Sequence, residues 1–159
     1  MSKVDVVSAT VTPRLRLNLV ARVPIDRGDV IFQCSPSEIV EERTWRTIQL
    51  DAHRHVKNEF LDYVDHSCDP NAVFDGDRLA MVALRTIAAG EPITFFYPGS
   101  EVELAKDFVC HCGSPRCVGH LRGAFYLTAE QMRYALEASH CTRFMAEQLT
   151  RLLQLPTSV

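Results

Sequence analysis

Apolar and polar residues alternate in short stretches along most of the chain before residue 97, a pattern typical of β-strands with one buried face. Turn-forming residues such as Gly28 and Gly90 separate these stretches. Pro13 is expected to end the first strand, because proline lacks the N–H that a strand ladder needs. Together the patterns predict strands over residues 3–12, 15–21, 30–32, 47–50, 54–56, 78–84 and 93–96.

The pattern changes towards the C-terminus, where apolar residues recur at the spacing of an amphipathic helix. Thr128 and Gln131 form the S/T-x-x-Q pattern of a capping box, which predicts that a helix begins there. The helical spacing continues to Leu153 with a break expected near His140, so the segment forms two short helices or one broken helix. The fold class is therefore mainly β, followed by a helical tail whose apolar face packs on the body.

Composition places the chain among globular proteins of ordinary domain size. It has 159 residues, of which 47% are hydrophobic and 23% are charged. The 17 Lys and Arg residues are outnumbered by 20 Asp and Glu residues, for a net charge of -3. This balance argues against direct nucleic-acid binding, which needs a basic surface, and suits a cationic partner such as a lysine-bearing peptide.

Three of the six cysteines lie close together in residues 110–117, with the spacing C-x-C-x4-C. Structural zinc takes four tetrahedral ligands, so this segment is one thiolate short. A cysteine at position 68 offers the missing ligand, which would let the metal join two distant parts of the chain. The predicted ligands of this structural zinc are Cys68, Cys110, Cys112 and Cys117.

The alternatives for these cysteines are disulfides, unrelated free thiols, or a zinc knuckle that only supports the fold. The close C-x-C spacing suits disulfide geometry poorly, and the first residues lack the apolar run of a secretory signal or a membrane span. We therefore expect an intracellular protein, cytoplasmic or nuclear, without membrane contact. The two remaining cysteines, Cys34 and Cys141, are expected to be buried apolar side chains.

Three segments together resemble the motifs of one enzyme family. The sequence DHSCDPN at residues 65–71 resembles the NHSCxPN motif of SET-domain lysine methyltransferases, and EPITFFY at residues 91–97 resembles their ELTFDY motif. The cysteines of residues 110–117 match the post-SET cysteines, and the likeness extends over residues 14–121. The resemblance implies a SET fold of several small sheets with a threaded crossing near Asn71, a rare feature in proteins. It divides the chain into a SET domain (1–97), a post-SET zinc segment (98–122) and a helical tail (123–159).

The same resemblance implies a methyl transfer from S-adenosyl-L-methionine to a lysine amine, with the two substrates meeting through a narrow channel. Tyr97 matches the terminal tyrosine of the second motif and is the expected catalytic residue, although a tyrosine there could also simply end a strand. Phe95 lies at the channel position, where phenylalanine leaves room for a second or third methyl group. Asp65, His66, Tyr97 and Leu121 are expected to contact the cofactor.

Two positions depart from the family pattern. Asp65 replaces the asparagine of the first motif, and a carboxylate can accept a hydrogen bond from the cofactor's ammonium group but cannot donate one. The family's Gly-x-Gly aligns with residues 16–18, where arginine and asparagine replace the two glycines. Leu17 and Asn18 are nevertheless assigned to the cofactor site through this alignment.

The leading hypothesis is a methyltransferase that modifies a lysine of a protein or peptide. Two alternatives come from the departures and from the fact that a fold does not fix a function. One is a SET-like binding module with a weakened cofactor site, and the other is a small-molecule biosynthetic enzyme that reuses the fold.

Overall fold

A computed structural model describes residues 2–11 and 14–154 of the chain. The predicted end of the first strand, at Thr12 and Pro13, lies outside these residues. Within the described ranges the strands are β1 (Val4–Val11), β2 (Arg14–Ala21), β3 (Val30–Gln33), β4 (Ile39–Val40), β5 (Thr47–Gln49), β6 (His55–Lys57), β7 (Asp65–His66), β8 (Ala72–Asp75), β9 (Ala80–Ala83), β10 (Thr94–Phe95), β11 (Phe108–Val109) and β12 (His120–Leu121).

These strands form small sheets, which confirms the mainly β class. β1 and β2 form an antiparallel hairpin, and two three-stranded antiparallel sheets have the orders β3-β9-β8 and β4-β6-β5. β11 pairs antiparallel with β12, whereas β7 pairs in parallel with β10. Each predicted strand has a counterpart, but the one expected over residues 78–84 begins only at Ala80. The residues before it form the turn from β8, where Leu79 has a φ of 51°.

The parallel pair of β7 and β10 lies beside a fully buried asparagine that holds two distant segments together. The Oδ1 atom of Asn71 accepts a hydrogen bond from the N–H of Thr94 (2.8 Å), and its Nδ2 donates to the carbonyl of Pro92 (2.8 Å) and to Glu91 Oε1 (3.1 Å). A buried amide with these three partners ties the two segments together. These contacts give Asn71 a structural role.

The described residues contain two hydrophobic clusters. The first collects side chains from the strands between Val4 and Phe95. The second surrounds the cysteine segment and includes Phe96, Leu121 and the buried faces of the two helices. Phe95 and Phe96 therefore face different clusters, as the alternation of side chains along an extended chain requires. Phe96, which replaces the aspartate of the family motif, is a buried core residue.

The C-terminal helices are α1 (Ala129–Glu137) and α2 (Arg143–Gln154). Thr128 caps α1 through the expected capping box, since its hydroxyl accepts from the N–H of Gln131 and the Gln131 side chain accepts from the N–H of Thr128. The chain leaves α1 through Ser139, whose φ of 58° ends the helix near the predicted break. Neither these helices nor any other in the described ranges is long and apolar enough to cross a bilayer.

We predict that Gly99→Ala destabilises the protein by about 1–3 kcal/mol, the usual consequence of overpacking. A Cβ at Gly99 would overlap the carbonyl oxygen of His140, and the Gly99 carbonyl also accepts from the N–H of Thr142 (2.8 Å) in the connection between the helices. Urea unfolding would measure the loss.

Gly76→Ala is the matched control, because its added Cβ would meet only Leu50 Cδ2 at 3.7 Å, an ordinary contact. It should change the free energy of unfolding by no more than about 0.5 kcal/mol. Equal stability of the two variants would show that the packing around Gly99 is not the constraint described above.

Candidate functional site

The parallel pair of β7 and β10 brings two sequence motifs side by side. Asp65 pairs with Thr94, His66 pairs with Phe95, and the N–H of Ser67 donates to the carbonyl of Phe95 (3.1 Å). Residues separated by nearly thirty positions are thereby fixed in one register. The site is built around this short ladder and the tyrosine that follows it.

Tyr97 lies two residues after the end of β10 and bonds both to the first motif and to the residue that precedes it. Its hydroxyl donates to the carbonyl of Val64 (2.8 Å), and its backbone N–H donates to Nδ1 of His66 (3.3 Å). Its ring lies 4.7 Å from that of Phe95 and 6.0 Å from that of Phe108, measured between centroids. Since the hydroxyl hydrogen points at Val64, the lone pairs of the Tyr97 oxygen can accept a hydrogen bond from a donor group of a ligand.

Phe95 and Tyr97 both line a cavity of about 490 Å³. The walls are largely apolar and aromatic, the composition of a site that removes most of a ligand from water. Residues from β5 and the loop before it, from the segment after Tyr97 and from β11 complete the walls, among them Trp45, Ile48, Glu101 and Phe108. The cavity thus places the two residues of the second motif on the surface that a substrate would reach.

His66 connects Tyr97 to the cysteines. Burial lowers the pKa of His66 to about 3, so the imidazole is neutral. Because Nδ1 accepts from the Tyr97 N–H, the proton is on Nε2, which lies 3.2 Å from the sulfur of Cys68. One ring therefore donates to a sulfur and accepts from the backbone of the tyrosine.

The four cysteines predicted as metal ligands lie together, with their sulfur atoms all within 4.8 Å of one another. A tetrahedral zinc with bonds of about 2.3 Å places its sulfurs about 3.8 Å apart, so the cluster fits such an ion with little adjustment. Cys68 and Cys110 are buried, and the N–H of Val118 points at the Cys68 sulfur from 3.3 Å. Donors of this kind orient and stabilise thiolate ligands.

The thiols of this cluster differ in acidity. Burial raises the pKa of Cys110 to about 11 and also raises that of Cys68. Burial acts in the same direction on Cys112, but hydrogen bonds from the N–H groups of Cys68 and Ser114 outweigh it and lower its pKa to about 7. Of the other two cysteines, Cys34 is buried in the first hydrophobic cluster, as expected, whereas Cys141 is only partly buried against the second.

The two positions that depart from the family motifs contact each other. With its amide nitrogen turned towards acceptors, the buried Asn18 donates to Asp65 Oδ2 (3.0 Å) and to the carbonyl of Leu17 (3.2 Å). Asn18, at a glycine position of the Gly-x-Gly pattern, is thus the hydrogen-bond partner of Asp65, at the asparagine position of the NHSCxPN motif. Leu17 is half exposed on the same strand.

The structure brings most of the predicted site residues into one connected group. Asn18, Asp65, His66 and Tyr97 follow one another through direct contacts, and Phe95 lies next to Tyr97. Leu121 is fully buried in the second hydrophobic cluster, so a contact between it and the adenine of the cofactor stays a prediction. Sequence reasoning missed Glu101 and Phe108, which line the cavity but belong to none of the recognised motifs.

Comparison with known proteins assigns the fold independently of these contacts. A family model described as the SET domain matches residues 16–98. The methyltransferase flvH of Aspergillus flavus is 32% identical over 132 residues, which cover 80% of this chain and 74% of that protein.

Histone-lysine N-methyltransferases described as H3 lysine-36 specific also match. The protein of Candida albicans is 31% identical over 130 residues, covering 66% of this chain and 15% of its own length. The protein of Saccharomyces cerevisiae is 33% identical over 128 residues, covering 65% of this chain and 17% of its own length. The chain spans about three quarters of the Aspergillus protein but only about a sixth of these longer relatives. All of these relatives are named as enzymes, so the alternative of a SET-like binding module without activity is not favoured.

We predict that purified protein contains about one zinc per chain, because four thiolates complete a tetrahedral structural site. Cys68→Ser should remove most of that metal and loosen the segment that carries the other three ligands. Elemental analysis by mass spectrometry would measure the zinc, and limited proteolysis would report the loosened segment.

Cys34→Ser is the control, since this thiol is buried in the first hydrophobic cluster and away from the other cysteines. It should keep full zinc content even if it lowers stability. Full occupancy in Cys68→Ser would show that the metal does not use the distant ligand.

Proposed function

Since the chain belongs to the SET-domain family, we propose that it transfers a methyl group from S-adenosyl-L-methionine to the side-chain amine of a lysine in a protein or peptide. One observation carries this proposal most directly. The tyrosine of the second motif lines an apolar cavity, and its backbone bonds to the histidine of the first motif. An amine in the cavity and a cofactor beside the first motif would then meet at Tyr97.

The cavity supports the chemistry that such a transfer requires. A lysine amine must be neutral to attack a methyl group, although its ordinary pKa is about 10.4. Apolar walls disfavour the charged form and lower that pKa, as burial does for any ammonium group. The Tyr97 oxygen, with its hydrogen directed at Val64, would accept a hydrogen bond from the amine and orient its lone pair.

The residues of the first motif suit the cofactor. When bound, S-adenosylmethionine supplies an activated methyl group on a sulfonium centre. We assign Leu17, Asn18, Asp65, His66, Tyr97 and Leu121 to its binding. The Asp65 carboxylate, already polarised by Asn18, is suited to accept from the ammonium of the cofactor's methionine part, a charge-assisted bond.

The four-cysteine cluster would hold a zinc ion with a structural role. Its four sulfurs are all provided by the protein, so a bound ion keeps no open position for a substrate. The metal would hold the segment of residues 98–122 against the body of residues 1–97, with residues 123–159 as the tail. This division of the chain is part of the proposal.

Phe95 would set how many methyl groups are added. Its ring lies against Tyr97 and lines the cavity, and it carries no hydroxyl that could hold the amine or a water there. A methylated amine is bulkier and has fewer N–H groups, so a wall without a hydroxyl leaves it more room and loses no hydrogen bond. The proposed products therefore include di- and trimethyl-lysine.

We predict that S-adenosylhomocysteine, the demethylated cofactor, raises the melting temperature of the protein. A ligand at a hundred times its dissociation constant stabilises the native state by about 2.7 kcal/mol. Asp65→Ala should reduce the shift, because it removes the proposed acceptor for the ligand's ammonium group. Asp77→Ala, at an exposed carboxylate paired with Arg143, should leave it unchanged. A shift that is equal in all three proteins would place the cofactor elsewhere.

We predict that Tyr97→Phe lowers methyl transfer by roughly a hundredfold or more, as expected when a positioned polar group is lost from a reacting centre. Phenylalanine keeps the ring packing, so zinc content and cofactor binding should stay near those of the wild type. Mass spectrometry of histone H3 and of lysate proteins incubated with isotopically labelled cofactor would measure the transfer.

Tyr126→Phe is the matched control, since that hydroxyl donates to the exposed Glu103 and lies outside the cavity. It should retain full activity. Equal rates for Tyr97→Phe and the wild type would exclude Tyr97 as the catalytic tyrosine.

A further inference from the structure

The cavity contains a buried carboxylate that the proposed methyl transfer does not yet use. Glu101 lies four residues after Tyr97, lines the same cavity and is 6% exposed. Among the residues whose burial the structure describes, it is the one buried carboxylic acid. A buried ionisable group is expensive unless a partner compensates its charge.

The carboxyl group is held firmly in place. Its Oε1 atom accepts from the N–H of Gln49 (2.7 Å), and the Gln49 side chain in turn accepts from the N–H of Val102 (3.1 Å). The Glu101 backbone is fixed as well, by its N–H to the carbonyl of Tyr97 (3.1 Å) and by its carbonyl, which accepts from Ala124 (2.8 Å). Glu101 is therefore a preorganised group rather than a mobile one.

The second oxygen of the carboxyl group is available to a ligand. Within the described ranges no hydrogen bond reaches Oε2. Oε2 is also not among the fully buried side-chain atoms that lack a partner, since in the described part of the chain these are the two ring nitrogens of His55. Oε2 therefore keeps some accessible surface, and Glu101 lines the cavity.

Among the residues that the structure describes, protein cations do not neutralise Glu101. Arg43 is near enough to influence it but forms its ion pair with Glu103, at 3.5 Å. Of the cationic residues that line the cavity, Arg46 pairs with Asp62 at 3.3 Å, and Lys106 is exposed to solvent. Burial raises the pKa of Glu101 to about 8, so the cavity by itself favours the protonated acid, and a cation bound beside it would favour the carboxylate.

A purely structural role does not require this charge. The hydrogen bond from Gln49 needs only an acceptor oxygen, which glutamine would supply at the same length without the cost of burying an acid. A carboxylate in an aromatic cavity is instead suited to a cation, because the ring faces of Phe95 and Tyr97 also attract positive charge.

We propose that Glu101 binds the ammonium group of the substrate as it enters the cavity, and that it thereby selects alkylamines over neutral chains of the same shape. This inference rests on the proposed function in taking the cavity as the path to Tyr97. The protonated amine is the abundant form of a lysine side chain in water, so the cation is the form that first reaches the cavity.

The test uses n-butylamine, which reproduces the lysine side chain and is charged at neutral pH, and 1-butanol, its neutral counterpart. Both are titrated by NMR into full-length, zinc-loaded protein saturated with S-adenosylhomocysteine, so that no turnover occurs. Wild-type protein should bind the amine at least about tenfold more tightly than the alcohol, a difference of about 1.4 kcal/mol. Glu101→Gln, which keeps the acceptor for Gln49, should lose this preference while its melting temperature stays within a few degrees.

Glu103→Gln is the matched control, because its carboxylate is exposed, paired with Arg43 and outside the cavity. It should keep the preference for the amine. Equal binding of amine and alcohol by the wild type, or an unchanged preference in Glu101→Gln, would overturn the role of Glu101.

The binding experiment can fail separately from the proposed methyl transfer. A preference for the amine that depends on Glu101, together with no methyl transfer to any lysine, would leave the cation site standing and remove the proposed reaction. Methyl transfer with an amine preference that ignores Glu101 would do the reverse.

Discussion

The imidazole of His66 is the contact on which the arrangement of the site depends. It lies between the sulfur of Cys68 and the backbone N–H of Tyr97, and it can serve both only as the neutral tautomer with its proton on Nε2. Burial of His66 disfavours the charged ring and so keeps the tautomer that both contacts require. The position of the tyrosine and the state of the cysteine cluster are coupled through a single side chain.

The alternation of side chains along residues 95–97 gives this coupling its geometry. Phe95 and Tyr97 pack against the first hydrophobic cluster and line the cavity, whereas Phe96 packs in the second cluster with the cysteines. A one-residue shift of β10 against β7 would exchange these faces. The bonds from Asn71 to Thr94 and Pro92 oppose such a shift, so a buried amide outside the cavity maintains the chemistry inside it.

Much of this structure could be predicted from the sequence, for physical reasons that also explain the failures. The hairpin of β1 and β2 and the capped helix at Thr128 follow periodic or capping patterns, and the cysteines have a recognisable spacing. Two-residue strands such as β7 and β11 are too short to show an alternating pattern, and β8 was missed because it lies close to a proline and a turn. The contact between Asn18 and Asp65, like the burial of Glu101, depends on which distant segments meet, and local pattern does not encode that.

The cavity has walls from two parts of the protein that need not be equally stable. Ile48 and Phe95 belong to strands of the first cluster, while Leu104 and Phe108 come from the segment that leads into the cysteines. Proteins open locally in cooperative units, and each unit has its own free energy of opening. A fluctuation that released the cysteine segment would expose the cavity to water without unfolding the strands. Whatever holds the four-cysteine segment in place would therefore also decide how often the wall of Leu104 and Phe108 closes the cavity.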